Sequence, residues 1–205
     1  MPVILLIRHG ENDYVQKHRL AGRMPGVHLN PKGQEQARLL AEKLADVPIK
    51  AVYSSPLERT METAAPLAQA LGLEVIPSPG LTETDVGEWQ GESLKKLGRL
   101  KIWRVVQNRP SLMRFPSGET FAEIQMRYVH ALEEICSRLE PKDIVACVSH
   151  ADPIRLAVAY YIGLPLDMFQ RLSVLPGSVT ILWITEANSQ LLALNVDPAF
   201  SLFRP

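Results

Sequence analysis

The chain has 205 residues, 46% of them hydrophobic, and it carries 22 basic and 22 acidic side chains. This length suits one substantial α/β domain, and the balanced charge gives no sign of a general affinity for nucleic acid or anionic membranes. No apolar stretch approaches the ~20 residues that a membrane-spanning helix needs, so we expect a cytoplasmic protein without a membrane partner. The two cysteines lack metal-type spacing and are expected to be reduced core thiols.

Apolar runs rich in β-branched residues predict the strands. Four of them lie at residues 3–7, 51–53, 73–76 and 144–148. Helical patterns follow most of these runs, and this alternation predicts a three-layer αβα sandwich around a mostly parallel central sheet. Two runs near the end of the chain, 179–184 and 191–196, predict a closing pair of strands around a polar turn at 187–189.

Cap residues mark the ends of the predicted helices. Asn30 followed by Pro31 begins the first, because a cap residue precedes proline at the first helical position. Thr120 begins the third, and Glu123 completes a capping box with it. The second and fourth helices are predicted over 57–71 and 154–162, each with a glycine directly after it.

Residues 77–118 interrupt the alternation with prolines, glycines and basic residues, and we expect them to form an inserted helical lid. The chain, 1–205, is otherwise predicted to be a single domain. Within the lid, a basic segment (residues 95–114) carries seven lysines and arginines and no acidic residue. It could draw in anionic substrates, or it could be a solvated helix face. In the second case, four residues would turn inward: Leu97, Leu100, Trp103 and Val106.

Five reactive side chains follow the predicted strands. Arg8 and His9 follow the first strand, Arg59 the second, Glu83 the third and His150 the fourth. We expect them to meet, because ligands of open parallel sheets bind in the crevice outside the carboxyl ends of the strands. Arginine forks match phosphate oxygens, and a neutral imidazole can attack phosphorus. The set therefore predicts a site for a phosphoryl group.

The spacing of these residues also resembles that of a known family. Arg8-His9-Gly10-Glu11 after an apolar strand resembles the signature of the histidine phosphatases in the phosphoglycerate mutase-like superfamily. Four further stretches agree in order: Leu29-Asn30-Pro31-Lys32-Gly33 with Gln36-Ala37, Ser54-Ser55-Pro56-Leu57-Glu58-Arg59-Thr60, Leu81-Thr82-Glu83 with Gly87-Glu88-Trp89-Gln90-Gly91, and Val148-Ser149-His150. The stretch after the acid, Thr84-Asp85-Val86-Gly87-Glu88-Trp89, resembles the phosphatase branch found in α-ribazole phosphatases and broad-specificity phosphatases.

The resemblance implies a phosphatase that hydrolyses small phosphate monoesters through a phosphohistidine on His9, with Glu83 as general acid and base. Arg8, Arg59 and His150 would surround the transferring phosphoryl group, and the arginines should lower the pKa of His9 and keep it neutral. No cofactor and no metal are implied. The candidate substrate-binding residues are Asn12, Arg23, Glu11, Trp89 and Ala151.

The chain departs from the family pattern near the site. Asn12 stands where the family more often carries threonine or serine, and Ala151-Asp152 replaces a frequent pair of glycines. Asp152 could bond an arginine or a substrate hydroxyl, so the substrate preference of better-known members does not transfer. Glu11 could contact the leaving group, orient an arginine or cap a turn. Trp89 could line the pocket or pack in the core.

Three other functions remain open on the sequence. Phosphoglycerate mutase-type phosphoryl transfer would use the same histidine pair. A metal-dependent phosphoesterase could use two histidines with several carboxylates, although two arginines in the cluster would repel a cation. A catalytically silent binding module could also use this fold. For a phosphatase we expect a small phosphorylated metabolite as partner and no nucleic acid, and the sequence leaves open whether the protein is a homodimer.

Overall fold

A six-stranded sheet forms the centre of the protein in a computed structural model that describes residues 2–185 and 187–197. The strands are β1 (Val3–Arg8), β2 (Ile49–Ser54), β3 (Val75–Pro77), β4 (Ile144–Ser149), β5 (Val179–Ile184) and β6 (Ser189–Val196). Their order is β3-β2-β4-β1-β5-β6. The first four strands of this order pair in parallel, whereas β5 runs antiparallel to both β1 and β6. The predicted mostly parallel sheet is confirmed.

Helices cover both faces of the sheet. They are α1 (Asp13–Gln16), α2 (Pro31–Leu44), α3 (Glu58–Leu71), α4 (Leu94–Leu97), α5 (Trp103–Asn108), α6 (Phe121–Cys136) and α7 (Ala151–Tyr161). Successive side chains of a strand point to opposite faces, and β1 shows the result. Ile4 and Leu6 are buried against α6 and α7, while Leu5 and Ile7 are buried against α2 and α3. The three layers predicted from the alternation are therefore present.

The predicted helix starts hold where a side chain caps the helix. The Asn30 side chain accepts from the Gly33 amide, and Thr120 and Glu123 form the capping box. The predicted start of the fourth helix at residue 154 is wrong, because α7 begins at Ala151. Pro153 lies in its first turn, where the missing N–H has no intrahelical acceptor in any case.

Several strand boundaries also differ from the prediction, and β2, for example, begins at Ile49 and ends at Ser54 instead of covering 51–53. Leu73 and Glu74 precede the third strand, which begins only at Val75, because the α3 cap at Gly72 still bonds the Leu73 amide to the helix. Ser189 was expected in the closing turn but opens β6, where it pairs with Ile184.

Residues 77–118 contain α4, α5 and three short 3₁₀ turns: Pro79–Leu81, Gly87–Trp89 and Pro110–Leu112. Their apolar side chains form a third buried cluster with α6 and α7. The basic segment is two helices instead of one, since Gly98 ends α4 and α5 begins at Trp103. Leu97 and Val106 are buried as predicted, but Leu100 is 42% exposed. Leu100 lies in the connection between α4 and α5, so the helical periodicity that predicted its burial does not extend to it. The role of residues 77–118 as a lid stays a prediction.

None of the helices among the described residues is long and apolar enough to cross a membrane.

Candidate active site

The reactive residues meet at the carboxyl ends of the parallel strands. His9 directly follows β1 and His150 directly follows β4, while Arg59 lies in the first turn of α3, after β2. The parallel pairing of β1 with β4 sets Arg8 beside Ser149, and the His9 amide donates to the Ser149 carbonyl at 2.9 Å. As a result, the centroids of the two imidazole rings lie 5.2 Å apart.

The environment of His9 prepares its ring for nucleophilic attack. His9 is buried, and its Nδ1 lies 2.7 Å from the Gly10 carbonyl oxygen. Because a carbonyl oxygen can only accept, the ring proton belongs on Nδ1 and the lone pair on Nε2. Burial, followed by the charges of Arg59 and Arg8, holds the pKa of His9 well below the ordinary value of 6.5. The ring is therefore neutral at neutral pH, which is the nucleophilic form.

Two glycines allow the catalytic loop, residues 9–12 between β1 and α1, to pack directly on the start of α2. A side-chain carbon at Gly10 would lie 2.5 Å from the Gly33 carbonyl oxygen, and one at Gly33 would lie 2.0 Å from the Glu11 carbonyl oxygen. The Gly10 amide also donates to Thr63 Oγ1 at 3.0 Å. These contacts fix the backbone on either side of the Gly10 carbonyl that sets the tautomer of His9.

Arg8 and Arg59 bring buried, unpaired donors to the site. Arg59 is 1% exposed, and its Nη2 donates to the Gly22 carbonyl at 2.8 Å, but its Nε and Nη1 have no hydrogen-bond partner. Arg8 Nη1 donates to the Val174 carbonyl at 2.7 Å, and Arg8 Nε is also unpaired. Burial, with a further effect of Arg155, lowers the pKa of Arg8 to about 10, so it stays a cation. Buried donors are normally paired, and phosphoryl oxygens would pair these three.

His150 is held between a hydroxyl and a guanidinium. Its Nε2 lies 2.9 Å from Ser55 Oγ, and its Nδ1 lies 3.3 Å from Arg59 Nη2 and 3.5 Å from Glu83 Oε2. Burial first and then Arg59 hold the pKa of His150 well below 6.5. A neutral ring that donates from Nε2 to Ser55 and accepts at Nδ1 from Arg59 satisfies both hydrogen bonds.

Glu83 has the environment of a general acid. Its side chain is 19% exposed, and Oε1 accepts from the Thr84 amide at 2.9 Å. Oε2 lies 3.5 Å from His150 Nδ1 and 3.9 Å from Arg59 Nη2. Burial raises the pKa of Glu83 against the opposing charge of Arg59, and Asp152 raises it further. A raised pKa keeps a carboxyl protonated nearer to neutral pH, as proton donation requires.

Four of these residues, Arg8, His9, Arg59 and Glu83, line an inner cavity of about 140 Å³, which shares lining residues with an outer cavity of about 460 Å³. His150 is not among the residues that line either cavity. The inner cavity is lined by Arg8, His9, Asn12, Arg59, Glu83, Ala151 and Asp152, among others. Much of the outer wall is apolar, and it includes Leu20, Leu94, Trp103, Val106, Phe115 and Phe121. A phosphoryl group fits the inner cavity, and a larger organic group fits the outer one.

The structure brings Asn12 and Ala151, two of the five candidate substrate-binding residues, into the lining of the inner cavity. Asn12 caps α1 by accepting from the Val15 amide with Oδ1, and its buried Nδ2 has no partner. This free amide donor adds to the unpaired guanidinium donors of the cavity. Binding of substrate by these two residues stays a prediction.

The structure places the other three candidates outside the lining of both cavities. The Glu11 carboxylate accepts from Asn30 Nδ2 at 3.1 Å and Lys32 Nζ at 2.8 Å, at the start of α2. Trp89 is buried, and its ring lies 5.9 Å from that of Trp103. Arg23 bonds the backbone of Glu83. Binding of substrate by these three residues stays a prediction.

Three residues at the site were not predicted. Ser55 bonds His150, Thr63 bonds the catalytic loop, and Arg155 lines the outer cavity while donating to Asp152 Oδ1 at 3.0 Å. Helical spacing could have indicated the last two, since Thr63 lies one turn after Arg59 and Arg155 one turn after Ala151. Ser55 directly follows β2, which is the position that predicted the other reactive residues.

A metal ion has a candidate set of donors here, but its surroundings are unfavourable. His9, Glu83 and His150 each offer a ligand atom within 4.8 Å of the others. Nδ1 of His9 is occupied by the Gly10 carbonyl, and Nδ1 of His150 lies 3.3 Å from a guanidinium nitrogen. A divalent cation would also lie beside two buried arginine charges. The donor set therefore fits an anion better than a cation.

Comparison with known proteins assigns the family. The profile of the histidine phosphatase superfamily (branch 1) matches residues 4–197. The chain is 30% identical over 198 residues to phosphoserine phosphatase 1 of Hydrogenobacter thermophilus, covering 96% of this chain and 93% of that protein. It is 30% identical over 184 residues to the 2,3-bisphosphoglycerate-dependent phosphoglycerate mutase of Thermoplasma acidophilum, covering 89% of this chain and 87% of that protein. The structure of a mycobacterial glucosyl-3-phosphoglycerate phosphatase in complex with VO3 matches with a TM-score of 0.85 at 26% identity. The match covers 95% of this chain and 98% of that one.

The chain therefore belongs to the histidine phosphatase superfamily, as its motifs predicted. It is a histidine-phosphatase-type enzyme that hydrolyses phosphate monoesters, and His9 lies in its catalytic site.

Proposed function

We propose that the protein hydrolyses its substrate in two steps, through a phosphohistidine at Nε2 of His9. The observation that carries this proposal is the bond between Nδ1 and the Gly10 carbonyl, which leaves the Nε2 lone pair free on a ring lining the inner cavity. The unpaired donors of Arg8 and Arg59 in the same cavity support it, because they match the charge that spreads over phosphoryl oxygens in the transition state.

In the first step, the Nε2 lone pair of His9 attacks phosphorus and the ester P–O bond breaks. Glu83 gives its proton to the leaving alkoxide, which departs as the alcohol. The guanidinium groups of Arg8 and Arg59 donate to the non-bridging oxygens, and His150, which bonds Ser55 and Arg59, positions the Arg59 guanidinium.

In the second step, the Glu83 carboxylate takes a proton from water as the water oxygen attacks the phosphorus of phosphohistidine. The P–N bond breaks, and the electron pair returns to Nε2 of His9. Inorganic phosphate leaves, and Glu83 is again protonated. The net reaction consumes one ester and one water and yields one alcohol and one phosphate.

We propose a small phosphorylated metabolite as the substrate. Relatives named as phosphoserine phosphatase and glucosyl-3-phosphoglycerate phosphatase support this class. The division into a 140 Å³ inner cavity and a 460 Å³ outer cavity supports it as well, since the phosphoryl group and the alcohol would occupy separate spaces. A cytoplasmic location and an absence of nucleic acid partners stay predictions, and a homodimer stays an open alternative.

Phosphoglycerate mutase-type transfer is the second candidate, favoured by the similarity to the Thermoplasma acidophilum mutase. It shares the first step but passes the phosphoryl group to a second alcohol instead of water. Release of inorganic phosphate from 3-phosphoglycerate, compared with its conversion to 2-phosphoglycerate, separates the two. Conversion that outpaces release would favour the mutase.

The two steps can be separated by substituting Glu83 with glutamine and supplying an aryl phosphate in excess EDTA. An aryl leaving group needs little protonation, so Glu83→Gln should still phosphorylate His9 but hydrolyse the intermediate slowly. An acid-labile, base-stable phosphoprotein should accumulate on this variant and be absent from His9→Ala. Glu88→Gln, which changes an exposed carboxylate in the next turn, is the matched control and should behave as wild type.

Turnover of an alkyl phosphate by Glu83→Gln at the wild-type rate would show that another carboxylate is the acid. Loss of wild-type activity in EDTA, restored by a divalent cation, would instead support the metal-dependent alternative.

A further inference from the structure

The segment that carries Glu83 has no regular secondary structure. Residues 82–86 lie between the 3₁₀ turns Pro79–Leu81 and Gly87–Trp89. No helix or sheet ladder therefore fixes this backbone, although a general acid must stay within hydrogen-bond reach of the leaving oxygen. The position of the carboxyl has to be set by contacts from other parts of the chain.

Two arginines hold the carbonyl groups of this segment. Arg23 Nε donates to the Glu83 carbonyl at 2.9 Å, and Arg127 Nη2 lies 3.4 Å from the same oxygen. Arg127 Nη1 also donates to the carbonyls of Gly80 at 2.8 Å and Thr82 at 3.0 Å. Because Arg127 belongs to α6, its guanidinium ties the acid-bearing segment to a helix that packs on the central sheet.

Glu119 joins both arginines to the same segment. Its Oε2 accepts from Arg23 Nη2 at 2.8 Å, from the Asp85 amide at 3.0 Å and from Arg127 Nη2 at 3.2 Å, and its Oε1 accepts from Arg127 Nε at 3.1 Å. Burial would raise the pKa of Glu119, but the bonds from Arg127 and the Asp85 amide outweigh it and lower the pKa. The side chain is therefore a carboxylate at neutral pH.

The backbone next to Glu119 is packed against the backbone after Glu83. The Glu119 amide donates to the Asp85 carbonyl at 3.0 Å, and the Glu88 amide donates to the Pro116 carbonyl at 3.0 Å. A side-chain carbon at Gly118 would lie 2.4 Å from the Asp85 carbonyl oxygen. The two loops are thus in direct contact, so a shift of one must displace the other.

The same network reaches the arginine of the phosphoryl site. The carbonyl of Gly22, the residue before Arg23, accepts from Arg59 Nη2 at 2.8 Å. Arg23 thereby connects the segment of the acid with the loop that holds Arg59. In the part of the chain that the structure describes, neither cavity is lined by Arg23, Glu119 or Arg127, so these side chains reach the reaction only through other residues.

We propose that Arg23, Glu119 and Arg127 form a clamp of positioning residues that places the Glu83 carboxyl for proton transfer. The proposal rests on the proposed role of Glu83 as the acid. It assigns Arg23 to support of the acid instead of contact with substrate, and it gives Glu119 the central place, because this carboxylate bonds both arginines and the Asp85 amide.

The clamp predicts a loss of kcat/KM whose size depends on the leaving group of the substrate. In Glu119→Gln, kcat/KM for an alkyl phosphate should fall about tenfold to hundredfold, because small misplacements of a catalytic group cost up to about 10²-fold. For an aryl phosphate, kcat/KM should change less than about threefold, since expulsion of its leaving group needs little protonation. A variant that was merely less well folded would lose both values by the same factor.

Two further variants keep the test decisive. Glu123→Gln is the matched control, because this exposed glutamate also pairs with an arginine, Arg114, and bonds a backbone amide at the start of α6. It should leave the alkyl-to-aryl ratio unchanged. If Glu119→Gln does not fold, Arg23→Gln removes one donor from the Glu83 carbonyl and should lower the ratio in the same direction.

Glu83→Gln, measured in parallel, separates this proposal from the proposed function. Glu83→Gln could lose kcat/KM selectively for the alkyl phosphate, while Glu119→Gln and Arg23→Gln lose kcat/KM equally for both substrates or not at all. This result would overturn the clamp and leave the assignment of Glu83 as the acid standing. No selective loss in Glu83→Gln would overturn the acid assignment itself, and the clamp with it.

Discussion

The two buried histidines should make the protein sensitive to acid. His9 and His150 are 3% and 0% exposed, and the pKa of each is held well below 6.5 by burial and by Arg59. Below pH 6.5 the unfolded chain takes up a proton on each ring, whereas the folded protein does not. The free energy of unfolding must therefore decrease as the pH falls below this value, and the loss continues until the lowered folded pKa is reached.

The size of the effect follows from the number of rings. One proton difference between the folded and unfolded states changes the free energy of unfolding by about 1.4 kcal/mol per pH unit, so the two rings together contribute about 2.8 kcal/mol per pH unit. Glu83 opposes them, because its raised pKa makes the folded protein hold a proton that the unfolded chain has released. The net slope should therefore be smaller than the sum from the two histidines.

Urea unfolding of the wild type, His9→Gln, His150→Gln and the double variant, between about pH 5 and 7.5, measures these slopes. Each single substitution should remove up to about 1.4 kcal/mol per pH unit from the acid slope. His130→Gln, at an exposed histidine on α6, is the control and should keep the wild-type slope. A double variant that unfolds with the wild-type pH dependence would show that the acid sensitivity does not reside in these rings.

Two further predictions concern activity. Ser55→Ala leaves the buried Nε2–H of His150 without its acceptor, which should lower the free energy of unfolding by about 1–3 kcal/mol. Steady-state kinetics should show a lowered kcat/KM as well, because the ring is no longer held. A wild-type value would mean that the hydroxyl does not hold the ring. Replacing Lys95, Lys96 and Arg99 together with glutamine should lower kcat/KM at low salt and flatten its salt dependence, with little change in kcat, because these exposed charges lie outside both cavities and act through their field. An unchanged salt profile would favour the solvated-face interpretation of the basic segment.

The sequence by itself was enough to predict the layers and most of the elements. Its signals are local: Asn30 before Pro31, Thr120 with Glu123, and apolar runs of strand length all act over a few residues, and the structure retains them. Local signals are weakest between short helices, where few residues share the helical periodicity, and next to a proline. The start of α7 before Pro153 and the exposure of Leu100 between two short helices were accordingly mispredicted.

The reactive residues were also predictable, because parallel strands end at one edge of the sheet and side chains directly after them must converge there. The neutral state of His9 was expected from the neighbouring arginines, but its tautomer and the orientation of His150 were not predictable. The tautomer of His9 depends on how the Gly10 carbonyl is turned, and the orientation of His150 depends on Ser55, which lies 95 positions away in the chain. The partners of Arg23 were not predictable either. Its side chain bonds Glu83 and Glu119, which are 60 and 96 positions away. Only tertiary packing brings such distant groups within hydrogen-bond distance, and no local pattern records which donor and acceptor will meet.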